Sequence, residues 1–192
     1  ILSHDYKIAS PGVIEVANNA QVPYTISLDG SLNVSSSNSS LFIDVEGRHT
    51  VNLTIQDQLG YARVQTIFIL LDTTSPSLSL IPSTQSYIGP NSTLNVTVGE
   101  NIANITEYTI SISDGIDTCS NTYTEASFNI QVTKSLDEIL GISCGLNSSV
   151  IATYSLTLRT MNEVGRNSSV QFNTSYYGSH AAAIIVGANI SQ

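Results

Sequence analysis

Two short motifs occur twice, in the same order, and this repetition constrains the fold more than any other feature. "YTISLDG" (24–30) returns as "YTISISDG" (108–115). "LTIQDQLGYARVQTIF" (53–68) has a counterpart in "LTLRTMNEVGRNSSVQF" (156–172). In each of the longer pair, an alternating strand runs into a polar turn holding Gly60 or Gly165. Arg63 or Arg166 follows, and then a second alternating strand. Two matched segments in the same order specify one small fold built twice rather than one large fold.

That small fold is all-β. Alternating or apolar runs predict strands at 3–9, 12–17, 23–28, 31–35, 41–45, 49–56 and 62–71 in the first half. In the second half they fall at 77–82, 92–98, 106–113, 124–132, 150–159 and 167–176. Apolar-in, polar-out alternation is the pattern of half-buried strands in antiparallel sandwiches. Turn signals every 8–12 residues or so fit an immunoglobulin-like sandwich. The expected fold is two tandem immunoglobulin-like β-sandwich domains, residues 1–73 and 76–178, followed by a terminal donor strand at 179–192. "DTTSP" between the domains reads as a short stiff linker, in which Pro76 lacks an N–H and opens the next strand.

The halves differ in length. From the first motif to the second is 29 residues in one (Tyr24 to Leu53) and 48 in the other (Tyr108 to Leu156). The surplus is placed in an insertion at 116–149, which holds both cysteines, Cys119 and Cys144. A disulfide between them would close a loop of ~25 residues and stabilise the domain by ~3 kcal/mol in the chain-entropy model. The insertion also holds "KSLDEILGI", where Ser135 and Glu138 have capping-box spacing and Gly141 ends the run.

Ser, Thr and Asn make up one third of the chain, and only 11% of residues are charged. The net charge of −9 and the lack of a basic patch argue against nucleic-acid binding. A surface solvated by hydroxyls, amides and sugars would stay soluble when carboxylates protonate, which suits an acidic exterior. No apolar run reaches the ~18 residues of a membrane span. Ile1 reads as a mature N-terminus left by signal-peptide cleavage, placing the chain outside the cell.

Ten Asn-X-Ser/Thr acceptors occur, at Asn33, Asn38, Asn52, Asn91, Asn95, Asn104, Asn147, Asn167, Asn173 and Asn189. In "VNLTI", "LNVTV" and "VQFNT" the apolar residues take one strand face and the asparagine the other. Such asparagines should reach solvent, where a bulky N-glycan is tolerated.

The tail, "SHAAAIIVGANISQ" (179–192), has no counterpart in the first half. Ala182, Ile184, Val186, Ala188 and Ile190 share one strand face. At the other end, "SHDYKI" (3–8) is a weak strand that would close the first domain poorly. A spare strand at one end and a deficient sheet at the other suit strand addition between copies. A head-to-tail contact that does not close builds an open filament. Two alternatives stand beside this reading. The tail could fold back as an extra strand of its own domain. Or residues 1–10 could be the donor, with His4, Tyr6 and Ile8 supplying the inward face.

The stretch "GRHTVNLTIQDQLGYARVQTIFILLDTTSPSLSL" resembles the junction of tandem immunoglobulin-like surface repeats of bacteria and archaea, with Tyr61 where those repeats commonly have Asn. The whole chain resembles the subunit of archaeal thread filaments of the Sulfolobales. That resemblance implies a heavily N-glycosylated pilus assembled by donor-strand complementation, with other copies of the chain as its partners.

Catalytic signals are poor, and the chain reads as a non-enzyme that needs no cofactor. "GISCG" matches a nucleophile elbow through Gly141, Ser143 and Gly145, but a loop and a strand follow it where the elbow needs a helix. Glu163 and His180 would have to complete that triad. His4, His49 and His180 are scattered without metal-ligand spacing. Asp29, Asp114 and Asp117 sit beside glycines and read as turn formers. The competing function is a secreted or surface-tethered adhesin, or a surface-layer accessory module.

Overall fold

The computed structural model describes residues 3–17, 22–35, 38–81, 87–88, 92–140 and 152–176. Among these it contains fifteen strands and one short helix. The chain divides into two compact units. The first comprises Ile1–Thr74 with Asn101–Ala103 and Glu163–Arg166, and the second comprises the remainder.

The first unit is built from β1 (Ser3–Ile8), β2 (Gly12–Val16), β3 (Tyr24–Leu28), β4 (Ser31–Ser35), β5 (Ser39–Ile43), β6 (Gly47–Gln56) and β7 (Ala62–Leu71). Five strands form one sheet in the order β1-β7-β6-β3-β4, and β2 pairs with β5 in a second. β1 runs parallel to β7, while the other pairs are antiparallel. A parallel last strand cannot be reached by a hairpin, so β1 joins β7 across the whole length of the unit. Asp29 and Gly30, both at positive φ (49° and 84°), make the two-residue turn between β3 and β4. Asp-Gly suits that position because both central residues of a type I′ turn need the left-handed region.

The second unit contains β8 (Ser77–Ile81), β9 (Tyr87–Ile88), β10 (Thr93–Gly99), β11 (Ile105–Ser113), β12 (Thr118–Ser127), β13 (Asn129–Ser135), α1 (Leu136–Leu140), β14 (Ala152–Asn162) and β15 (Asn167–Tyr176). Its sheets run β12-β11-β14-β15-β9 and β13-β10-β8. The sequence repeat is therefore a topological one. β3 and β11 carry the first motif, and β6–β7 and β14–β15 carry the second. Each set holds the same places in its five-stranded sheet. Tyr24 and Tyr108, the opening residues of the motif, are both buried.

Two expectations need correction. The single strand expected at 124–132 is two strands, β12 and β13, which break at Phe128 and belong to different sheets. The segment 116–149 is not simply an insertion, because β12 pairs with β11 and β13 with β10. They stand where β4 and β5 stand in the first unit, and the extra length goes into a longer β12 and the residues from α1 onward. The capping box does form. Ser135 N–H donates to Glu138 Oε2 at 2.9 Å, and Glu138 N–H donates back to Ser135 Oγ at 3.3 Å.

Candidate functional site

The units differ most in their smaller sheets. In the second unit β10 lies between β13 and β8, and its inward residues Leu94, Val96 and Val98 are 0% exposed. In the first unit β2 holds the equivalent position beside β5. Among the described residues no strand pairs with its other edge. Its inward residues Ile14 and Val16 are only half-buried. An antiparallel strand directs its N–H and C=O groups to both sides, so one edge of β2 carries backbone groups that no described strand pairs with.

The side chains beside that edge are apolar apart from Glu15. Register with β7 places His4 opposite Ile67, Tyr6 opposite Ile69 and Ile8 opposite Leu71, so these β1 residues share the face that covers the core. Even so, Tyr6 is 52% exposed. A cleft of about 390 Å³ separates β1 and β7 from β2, lined by Tyr6, Ile8, Ile14, Ile43, Ile67 and Ile69. Among the described residues, the buried cluster of this unit has six members, against fourteen in the other.

The same unit holds a buried histidine. His49 follows the alternation of Val51 and Leu53 back to the start of β6 and is 8% exposed. Its Nδ1 lies 2.6 Å from Asp29 Oδ2 and its Nε2 lies 2.6 Å from the Val45 carbonyl oxygen. Asp29 Oδ1 accepts the Thr50 N–H at 2.7 Å. Burial by itself pulls the His49 pKa down, but the Asp29 carboxylate and the Val45 carbonyl outweigh it, and the net shift is upward. The bond from His49, then that from the Thr50 N–H, holds Asp29 below its ordinary value. With both ring nitrogens engaged by acceptors, this His–Asp pair has no nitrogen left to activate a nucleophile.

The structure disperses the other residues singled out in the sequence. Asn38, Asn95, Asn167 and Asn173 are exposed, and Asn52 and Asn104 are half-buried. Asn52 Oδ1 accepts from Thr66 Oγ1 and Asn95 Oδ1 from Thr133 Oγ1, each at 2.7 Å, whereas a sugar would attach at the amide nitrogen. Asn33 lies on β4. Asn91, Asn147 and Asn189 lie outside the described residues, as do Gly141, Ser143, Gly145, His180 and the whole 179–192 segment with Ala182, Ile184, Val186, Ala188 and Ile190. Cys119, on β12, is disulfide-bonded, and Cys144 lies outside the described residues. Glu163 sits in the β14–β15 turn. Asp114 shapes its turn by accepting from the Ile116 and Asp117 N–H groups. Among the described residues no three His, Cys, Asp or Glu side chains converge as metal ligands, and no helix is long and apolar enough to cross a membrane.

His4, Tyr6 and Ile8, the alternative donor residues, are paired with β7 in their own unit. What sequence reasoning missed was the edge of β2 and the His49–Asp29 pair. The alternation that puts His49 on the apolar face was the available signal for the second.

No family model matches the chain, and no curated protein does. Among solved structures, it is similar to a tetra-tandem repeat from the extending region of a large adhesion protein. Identity is 19% and the TM-score 0.46, covering 88% of this chain and 46% of that one. It is also similar to a 1.5-MDa bacterial ice-binding adhesin, at 13% identity and TM-score 0.31, covering 88% and 58%. A third similarity is to the FN1–FN3 domains of chicken CNTN1, at 10% identity and TM-score 0.29, covering 79% and 56%. The chain spans about half the length of the adhesion repeat structure. Likenesses this distant carry no argument about activity or partners.

Proposed function

We propose that this chain is a non-catalytic, extracellular surface module, and that it polymerises head to tail by strand addition into a glycosylated filament of the archaeal thread kind. The donor is residues 179–192 of one copy, and the acceptor is the β2 edge of the next. The observation that carries this reading is the edge of β2 away from β5, beside which no strand pairs among the described residues, over a cleft lined by Tyr6, Ile8 and Ile14. Ala182, Ile184, Val186, Ala188 and Ile190 alternate in register with what such a cleft requires: backbone hydrogen bonds for affinity, and pockets for every second side chain for specificity. The N-terminal alternative is less favoured, because β1 would have to leave β7.

The test uses a chain truncated before residue 179 and a synthetic peptide of residues 179–192. Calorimetry should record saturable one-to-one binding, and Tyr6→Lys, which puts a charge into the cleft, should abolish it without unfolding the chain. If the peptide does not bind, or binds equally well to the Tyr6→Lys variant, the acceptor is elsewhere.

Glycosylation belongs to the same proposal, as does the pairing of Cys119 with Cys144, the only other cysteine. Glycopeptide mass spectrometry of material from its native source should find Asn38, Asn95, Asn167 and Asn173 more fully occupied than half-buried Asn52. Fewer than about three occupied acceptors would remove support for a sugar-coated filament.

A further inference from the structure

The two contacts of His49 fix its charge state. A neutral imidazole has one N–H and one lone pair, so it satisfies one acceptor and repels a second. Here two acceptors, the Asp29 carboxylate and the Val45 carbonyl, each stand 2.6 Å from a ring nitrogen. Only the imidazolium, with two N–H groups, fits both. Val45 belongs to the loop between β5 and β6, and the next residue of that loop is Glu46. Glu46 Oε1 accepts the Thr73 N–H at 3.0 Å and the Thr73 hydroxyl. Thr73 follows β7 directly, beside Asp72, which is wholly buried and whose Oδ1 accepts the Thr74 N–H and hydroxyl.

We propose that His49 is a pH-sensitive latch: protonated, it pins Val45, and through the adjoining Glu46 it clasps the chain at Thr73 where β7 ends. Deprotonation leaves one ring nitrogen as a lone pair facing an oxygen. The weaker bond, to the uncharged Val45 carbonyl, is the one that lets go, because the Asp29 bond is charge-assisted. The 44–46 loop then loses its anchor, and Thr73 loses the acceptor that loop positions. The latch involves only first-unit residues and does not depend on strand exchange.

The surroundings of His49 set the direction of the response. From the β3–β4 turn Asp29 faces it, and from the β5–β6 loop Asp44 adds a second negative charge. Its partner across β7 is Ile69, which is apolar. Arg48 takes the opposite face of β6 by strand alternation. Because the folded-state pKa of His49 is raised, its contribution is complete below the ordinary histidine value and is lost as pH rises through the raised one. Asp29 works the other way: its lowered pKa gives stability above the ordinary carboxylate value, lost as pH falls through the lowered one. The latch is closed between those two limits.

Two signals from the intact chain test this. Ring ¹⁵N shifts report the His49 midpoint, and amide exchange at Thr73, corrected for its intrinsic rate, reports the clasp. From below the ordinary histidine value to well above the raised one, Thr73 protection is expected to fall about tenfold or more, with the same midpoint as the His49 ring. Asp29→Asn should lower both midpoints together. Glu46→Ala should remove Thr73 protection at every pH and leave the His49 midpoint in place. A His49 midpoint at or below that of free histidine would overturn the latch. So would Thr73 protection that stays constant while His49 titrates, or that survives Glu46→Ala. The titration of the unaltered protein decides the matter if either variant fails to fold.

Discussion

Removal of residues 179–192 is expected to leave a folded chain that sediments as a monomer at concentrations where the full chain is expected to polymerise. The donor's apolar face would bury Ile184, Val186 and Ile190, each worth roughly 1.5–3 kcal/mol when fully covered. Association and ordering of the segment offset part of that gain, so the net loss on truncation is on the order of 10³-fold or more in affinity. Removing residues 1–10 should act differently. That deletion takes β1 out of its own sheet, strips the cover from Ile67, Ile69 and Leu71, and destabilises the first unit itself. Sedimentation velocity and thermal unfolding separate the two outcomes. If the C-terminal truncation polymerises and the N-terminal one stays folded and monomeric, the polarity of donation is the reverse of that proposed. If both polymerise, strand donation is wrong.

The second large effect concerns where each core is complete. Leu156 is 0% exposed at the centre of β14, flanked by β11 and β15. Leu156→Ala should cost about 2–5 kcal/mol, because a packed site of that kind cannot collapse onto the cavity. Ile14 lies half-buried on β2 with the cleft beside it, so much of its side chain already meets solvent. Ile14→Ala should cost only about 1–2 kcal/mol in the monomer, in proportion to the area it covers. The same substitution should become more damaging in the polymer, where the donor would complete its burial. Denaturant unfolding of monomer and polymer measures both. Equal costs for the two substitutions in the monomer would mean that the first core is already closed.

The parts of this fold that depend on local pattern were legible in the sequence. Alternation placed β6 and β7 within two residues of their observed ends, and the Ser135–Glu138 spacing located α1. The repeated motif marked strands that hold equivalent places in both large sheets, because Tyr24 and Tyr108 fill the same kind of core position. What stayed hidden depends on contacts far apart in the chain. Nothing around residue 5 announces that β1 will lie parallel to β7 some sixty residues later. Nothing in "GVIEV" says that its second edge lacks a partner among the described residues, whereas "TLNVTV" has one in β8. Phe128 divides β12 from β13 although its surroundings read as one continuous alternating run. His49 and Asp29 are individually ordinary, and their pairing needs the β3–β4 turn brought against the start of β6.

The most direct test of the central claim is a helical reconstruction of the native assembly at a resolution that traces backbone. Strand addition predicts density for residues 179–192 of one copy hydrogen-bonded along β2 of the next, with Ile184 and Val186 seated over Tyr6 and Ile14. A map in which β2 borders only solvent, and both ends of every chain pair within their own subunit, would contradict it.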